Sequence, residues 1–222
     1  MNVIRINQSD AFYPVKLKEI CDPPEEIYCV GDIRLLNEPS IAIVGARDAS
    51  DYGRRISKKL SSDLSKRGVT IISGLAKGID SCAHEGAYDK IGKTIAVLGC
   101  GIDIIYPKEN EELYKNIIRS GGLIISEFPL GTKPEKDNFP KRNRLISGLS
   151  NGVVVVEAKA KSGALITVDC ALEQGKNVFA VPGNIGSIYS EGTNNLIKDG
   201  AIPVTSYEDI LLHIKIQNGI IN

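Results

Sequence analysis

The sequence predicts an α/β domain whose mostly parallel, doubly wound sheet of about seven strands is flanked by helices. Three observations predict it. From Ser40 onward, short β-branched apolar runs alternate with longer amphipathic stretches. Those runs are almost continuously apolar, as strands buried on both faces must be. Several of them end in glycine just before a helical stretch opens, the connection expected where a strand hands over to a helix above a parallel sheet.

The first 39 residues stand apart from this pattern. Tyr13-Pro14, Asp22-Pro23-Pro24 and Asn37-Glu38-Pro39 punctuate them. Proline fixes φ and removes a backbone donor, so we expect an irregular arm with short helical turns, packed on the core. Runs at 41–44, 69–72, 95–98, 123–125, 153–156 and 178–181 read as strands, with 202–204 as a seventh. Stretches 51–67, 80–91, 109–119 and 162–174 have helical length and periodicity. The expected organisation is therefore an arm over 1–39, an extended Rossmann-like core over 40–216 and a frayed tail over 217–222.

With 222 residues and 42% hydrophobic content, the chain can bury a sizeable core. Lys+Arg and Asp+Glu both number 27. That balance weakens any claim of bulk attraction to a polyanion, which then needs local clusters. The five cysteines are odd in number and lack C-x-x-C spacing, which points to free thiols in a reducing, cytoplasmic setting rather than a disulfide or zinc framework. The N-terminus shows no signal-peptide core, and the longest apolar runs, such as 152–158, are too short to span a bilayer. No membrane association, metal or cofactor is expected.

Ligands of a doubly wound sheet bind beyond the carboxyl ends of its strands. Four strand ends here carry glycine. Gly45-Ala46-Arg47 opens a helix without the G-x-G-x-x-G of dinucleotide sites; its helix N–H groups and the Arg47 fork can still hold a phosphate. Ser73-Gly74-Leu75-Ala76-Lys77-Gly78 places Lys77 between two glycines at another helix start, which Asp80 can cap. Gly99-Cys100-Gly101 is the third. The fourth ends in Glu157, followed by Lys159, Lys161 and a helix opening at Ser162-Gly163. Between the fourth and fifth strands, just before a helix, Phe139-Pro140-Lys141-Arg142-Asn143-Arg144 forms a local basic patch with an aromatic able to stack on an unpaired base. The bland alternatives are a chain turn at Gly45, an Arg47 paired to a surface carboxylate and a solvated helix face at 139–144.

These segments together resemble the DprA/Smf family (DNA processing protein A). The resemblance rests on Gly45-Ala46-Arg47 with Ser50 and Tyr52-Gly53, on 73–80 with His84 and Gly86-Ala87, and on 94–103 with Tyr106-Pro107. It continues through Ser126-Glu127, 139–150, 154–158 with 162–167, 178–183 and 192–201, and so covers essentially all of 40–201. It implies a fold that binds single-stranded DNA without obvious sequence preference, forms a homodimer, passes incoming strands to the recombinase RecA during natural transformation and has no established catalytic activity. Carried over by resemblance, the DNA site comprises Arg47, Ser50, Lys77, Phe139, Lys141, Arg142, Asn143 and Arg144, flanked by Gly78 and by Lys161, Ser162 and Gly163. Many members add a small helical domain before this core and a winged-helix-like one after it; neither is visible in these 222 residues, which fits a core-only member or a piece of a longer chain.

Two other classes compete. A hydrolase of nucleoside monophosphates would need a carboxylate beside a phosphate site, for which Glu127 and Glu157 are the candidates; the P-G-G-x-G-T-x-x-E pattern such an enzyme should carry is missing. An NAD-dependent enzyme is undercut by the broken glycine fingerprint. No Ser-His-Asp, Cys-His or metal constellation is evident, so we expect no enzyme. His84 and the Asp103/Tyr106-Pro107 turn read as architecture, and Ile185, Ile188 and Leu196 as exposed hydrophobics for a dimer contact.

Overall fold

The computed structural model describes residues 2–214. In chain order its elements are β1 (Ile4–Asn7), α1 (Val15–Lys18), β2 (Glu26–Gly31), β3 (Ser40–Val44), α2 (Asp51–Ser65), β4 (Thr70–Ser73), α3 (Ile79–Ala87), β5 (Thr94–Leu98), α4 (Glu111–Arg119), β6 (Leu123–Ser126), α5 (Asn138–Leu149), β7 (Gly152–Val155), α6 (Ala164–Glu173), β8 (Asn177–Ala180), α7 (Glu191–Lys198), β9 (Ile202–Pro203) and α8 (Tyr207–Leu211). They build one nine-stranded sheet in the order β1-β2-β6-β5-β4-β3-β7-β8-β9. The seven strands from β6 to β9 in that order are parallel, as their unbroken apolar character requires.

Both faces of the sheet are covered, and the period of two decides what goes where. Ala42 and Val44 of β3 join a core with Leu145, Ile146 and Leu149 of α5 and Val168 of α6. Their neighbours Ile41 and Ile43 point the other way, onto Leu60 and Leu64 of α2 and Ala83 of α3. A third cluster lies under α4, around Tyr114, Ile117 and Leu98. From β3 the chain steps outward through β4 and β5 to β6, then returns to lay β7 against the opposite edge of β3, with Ala42 level with both Ile72 and Val153. The strand order therefore reverses between β3 and β7, which is the switch point where such sheets open a crevice.

The first 39 residues depart from expectation. They hold the expected short helical turns, α1 and a 3-10 turn over Ile33–Asn37, but they also add two strands, so the sheet has nine rather than about seven. β2 lies antiparallel on β6, and β1 antiparallel on β2. The prolines flank these strands rather than interrupt them, so they do not forbid pairing. Lys16 ties the arm to the sheet: its Nζ donates to the Glu38 carbonyl, Ser40 Oγ and Asn151 Oδ1 at 3.0, 3.1 and 3.0 Å. Burial, with Lys176 nearby, pushes this amine down to about 8. Ile185 and Ile188 are exposed as expected, whereas Leu196 packs against the core. The tail expected to fray lies outside the described residues.

Candidate nucleic-acid interface

A cleft of about 640 Å3 opens at the switch point. Its walls are the loop after β3 (Gly45 to Asp48), the loop after β7 with the start of α6 (Lys159 to Thr167), and the first turns of α5 (Phe139 to Asn143). A side alcove of about 80 Å3, shared by Arg47, Lys77, Tyr106 and Phe139, continues toward the ends of β4 and β5.

Phe139 is the hub. The exposed Arg47 guanidinium lies 5.4 Å from its ring centre, Arg142 lies 6.0 Å away, and the Tyr106 ring is tilted against it at 5.6 Å. A cation over a half-buried aromatic face is held in place without losing its charge. Arg142 does a different job. It is only 4% exposed, and its Nη1 donates to the carbonyls of Gly74, at 2.8 Å, and Val97. Arg142 thereby bolts α5 to the carboxyl ends of β4 and β5. Burial lowers its pKa to about 10, with Asp80 opposing and Arg47 assisting, so it stays charged at neutral pH. Gly74 leaves room for it, since a Cβ there would sit 2.6–2.7 Å from the guanidinium.

The expected capping of α3 by Asp80 is not observed. Instead Gly78 occupies the cap position at φ +80, and the buried Asp80 carboxylate reaches back to accept from the Gly74 amide at 3.1 Å. Burial raises its pKa while Arg142 lowers it. Gly78 permits the close approach of these two loops, for a Cβ there would lie 2.3 Å from the Ala46 carbonyl.

The helix starts also divide differently from expectation. The N-terminus of α2, a candidate phosphate holder by sequence, is filled from within. Glu157, 4% exposed, accepts from the Ser50 amide at 2.9 Å and from the Ser50 hydroxyl, while Ser50 caps α2 by accepting from Gly53 N at 3.1 Å. A carboxylate already satisfies the positive end of that helix. The start of α6 is open by contrast: Lys161, Ser162 and Gly163 line the cleft, and nothing lies within 4 Å of a Cβ built on Gly163.

The basic patch at 139–144 does not survive as a patch. It lies inside α5 rather than before it, and a turn of about 100° per residue points its members apart. Lys141 is exposed on the outer side, Arg142 is buried beneath the cleft and Asn143 lines it. Arg144 faces away, bound bidentately to Glu127 at 2.7 Å and 2.7 Å and to Asp22 at 3.0 Å. Lys77 borders the alcove and pairs with Glu109 at 2.6 Å. The cleft thus gathers Arg47, Phe139, Arg142, Asn143, Lys161, Ser162 and Gly163, with Lys77 alongside; Ser50, Gly78, Lys141 and Arg144 lie outside it. Sequence reasoning missed Asp48 and Lys136, noted Lys159 at its strand end without placing it in the site, and set Tyr106 aside as architecture although it lines the cleft. Its neighbour Asp103 is architectural, accepting from Gly131 N at 2.9 Å.

The candidate catalytic carboxylates are committed elsewhere, Glu127 to Arg144 and Glu157 to Ser50. His84 is buried in the fold, hydrogen-bonded to Leu75 N and Thr94 Oγ1. Among the described residues no group of three or more His, Cys, Asp or Glu side chains could hold a metal ion, and no helix is long and apolar enough to cross a membrane.

The sequence matches the family described as DNA recombination-mediator protein A over residues 4–215. The chain belongs to this family. It is 48% identical over 204 residues to protein Smf of Escherichia coli K12, covering 92% of this chain and 54% of that protein. It is 46% identical over 202 residues to the DNA processing protein DprA of Streptococcus pneumoniae R6, covering 91% of this chain and 71% of that protein. The chain therefore spans about half of the first relative and under three quarters of the second. The crystal structure of the S. pneumoniae DprA superposes with a TM-score of 0.91 at 42% identity, over 97% of this chain and 75% of that one. DNA processing protein A of Helicobacter pylori, whose structure is described for its single-stranded DNA binding mode, superposes with a TM-score of 0.85 at 33% identity, over 96% of this chain and 95% of that one. The extended Rossmann-like fold expected from the sequence is thus that of the DprA family. The molybdenum cofactor binding protein of Rippkaea orientalis shares the fold alone, at a TM-score of 0.54 and 18% identity.

Proposed function

We propose that this chain binds single-stranded DNA in the cleft at the switch point, as a non-catalytic DNA-processing protein. The observation that carries the reading is the Arg47–Phe139 pair, a solvent-facing guanidinium held 5.4 Å from an aromatic ring at the cleft wall. A single strand offers what that pair fits, a phosphate for a bidentate cation and an unstacked base for a ring. Lys161, Ser162 and Gly163 supply a second anion position across the cleft, Asn143 and Lys77 add polar contacts at its rim, and Arg142 holds the floor from beneath. Ser50 and Gly78 shape the loop that carries Arg47, while Lys141 and Arg144 lie on other faces of α5. The single-stranded DNA binding described for the H. pylori relative supports the same reading.

In this reading the protein works as a cytoplasmic homodimer that protects incoming single strands and promotes loading of RecA during DNA uptake and recombination. Equilibrium binding of labelled oligonucleotides across a salt series tests the core of it. Single strands bind far better than duplex of the same length and with little base preference; equal affinity for duplex would sink the proposal. Light scattering at micromolar concentration tests the dimer, which a single 24.0 kDa species would remove.

A further inference from the structure

The outer face of α2 carries a charge pattern that helix physics does not favour. Arg54, Arg55, Lys58 and Lys59 are all exposed, opposite the buried Gly53, Ser57, Leu60 and Leu64. Arg54 and Lys58 are four residues apart, as are Arg55 and Lys59, so like charges stack along two neighbouring rows. Such pairs repel within a helix. Arg54 and Arg55 also lie near the N-terminal end of α2, where the helix dipole opposes cations. Nearby carboxylates answer only part of this charge: Lys58 pairs with Glu85 at 3.3 Å and Lys59 with Asp63 at 2.6 Å. The Arg55 guanidinium instead lies over the ring of Tyr52, 5.9 Å from its centre, and that ring is 44% exposed.

Position gives the stripe its meaning. α2 follows directly on the loop of Arg47 and Asp48 that walls the cleft, and Tyr52 stands at its first turn. From the cleft edge the order is therefore Arg47, then an exposed aromatic under a guanidinium, then two rows of cations. Residues 51–59 rise about 13 Å, roughly the length of four stacked nucleotides at 3.4 Å each. In a chain of net charge zero, this run of cations beside the cleft is matched to a polyanion leaving it.

We propose that the outer face of α2 is a second, backbone-tracking segment of the single-stranded DNA path, engaged only by strands long enough to emerge from the cleft past Arg47. This rests on the cleft reading above and extends it. Tyr52 offers one stacking platform, and Arg55, Lys58 and Lys59 take phosphates without reading base identity.

The test compares a hexanucleotide and a 20-nucleotide oligothymidylate on the full chain and on the R55Q/K58Q/K59Q variant. Glutamine keeps helix propensity, and the thermal midpoint verifies the fold. The hexamer should bind both proteins within about twofold. The 20-mer should bind the variant about tenfold more weakly, with its salt slope flattened by about 0.7 for each phosphate that the variant no longer neutralises. On the wild-type chain alone, the slope should steepen between about 6 and 12 nucleotides and then level off. A variant that holds the 20-mer with unchanged affinity and slope overturns the α2 path while leaving the cleft intact. Equal weakening toward both oligonucleotides overturns it as well, and a wild-type chain that binds neither length removes the cleft reading beneath it. If the variant loses binding to phosphatidylserine vesicles but keeps the 20-mer, the stripe is a membrane surface and the proposal fails.

Discussion

Arg142 donates to the carbonyl of Gly74 at 2.8 Å, joining α5 to the end of a strand 68 residues earlier in the chain. Its place against the Phe139 ring makes it a support of the cleft that it also lines. Gly74→Ala should force the guanidinium out of its seat and lower stability by about 1–3 kcal/mol, the usual cost of overpacking. Arg142→Lys keeps the charge but loses the planar guanidinium that lies against the Phe139 ring, so single-stranded DNA should bind several-fold more weakly with an unchanged salt slope. A slope flattened by about 0.7 would instead make Arg142 a phosphate contact. Denaturation midpoints and a salt titration separate the two roles.

Arg47 is the opposite case, exposed and free of any such bolt. Arg47→Ala should leave the fold intact, because the strand behind it, β3, keeps all its packing. Affinity should fall about equally for every single-stranded sequence, since a phosphate contact carries no base information. The slope of log affinity against log salt should flatten by about 0.7. Arg47→Lys should recover only part of the affinity, because an ammonium cannot pair bidentately. An Arg47→Ala protein with unchanged affinity and slope would place the DNA elsewhere.

Much of this was legible in the sequence, and the gaps have physical reasons. Apolar runs located all seven parallel strands, because burial on both faces leaves no other pattern. Strands β1 and β2 were hidden by flanking prolines: a run of four residues such as Ile4–Asn7 carries too little periodicity to outweigh them. The cations at 141–144 looked like one patch because sequence adjacency conceals a rotation of about 100° per residue. Glu157 reads in the sequence as a lone carboxylate at a strand end; that it fills the start of α2, 107 residues earlier in the chain, depends on β7 lying beside β3. Lys136 and Lys159 sit in loops, where spacing alone gives no direction.

Glu157 tests the competing hydrolase chemistry. Its carboxylate accepts from the Ser50 amide and hydroxyl and is buried against Gly53, whose Cβ position would lie 2.2 Å from Oε2. Glu157→Gln should weaken the cap of α2, at a cost of about 1–2 kcal/mol. The wild-type protein should release no free base from any nucleoside monophosphate. Chromatographic detection of base release, abolished in Glu157→Gln, would replace the binding reading with an enzymatic one.

His84 gives the fold a definite response to acid. Its ring is fully buried, accepts from Leu75 N at 3.3 Å through Nε2, and meets Thr94 Oγ1 at 2.7 Å through Nδ1. Thr94 spends its own proton on the Ile71 carbonyl, so the ring is neutral with its hydrogen on Nδ1. The contact also steadies Leu75, a non-glycine residue at φ +54 in the turn that presents Lys77. Burial, aided by the charge of Arg142, lowers the His84 pKa from 6.5 to about 3. Between those values the unfolded chain binds a proton that the folded chain refuses, so stability is complete above pH 6.5 and falls as pH drops toward 3. From this group alone the loss should reach about 2 kcal/mol by pH 5. His84→Gln should be less stable than wild type at pH 7 yet decline more gently below pH 6.5. Denaturant midpoints measured at pH 7, 6, 5 and 4 on both proteins decide the matter, and parallel curves would show that another group governs the acid limb.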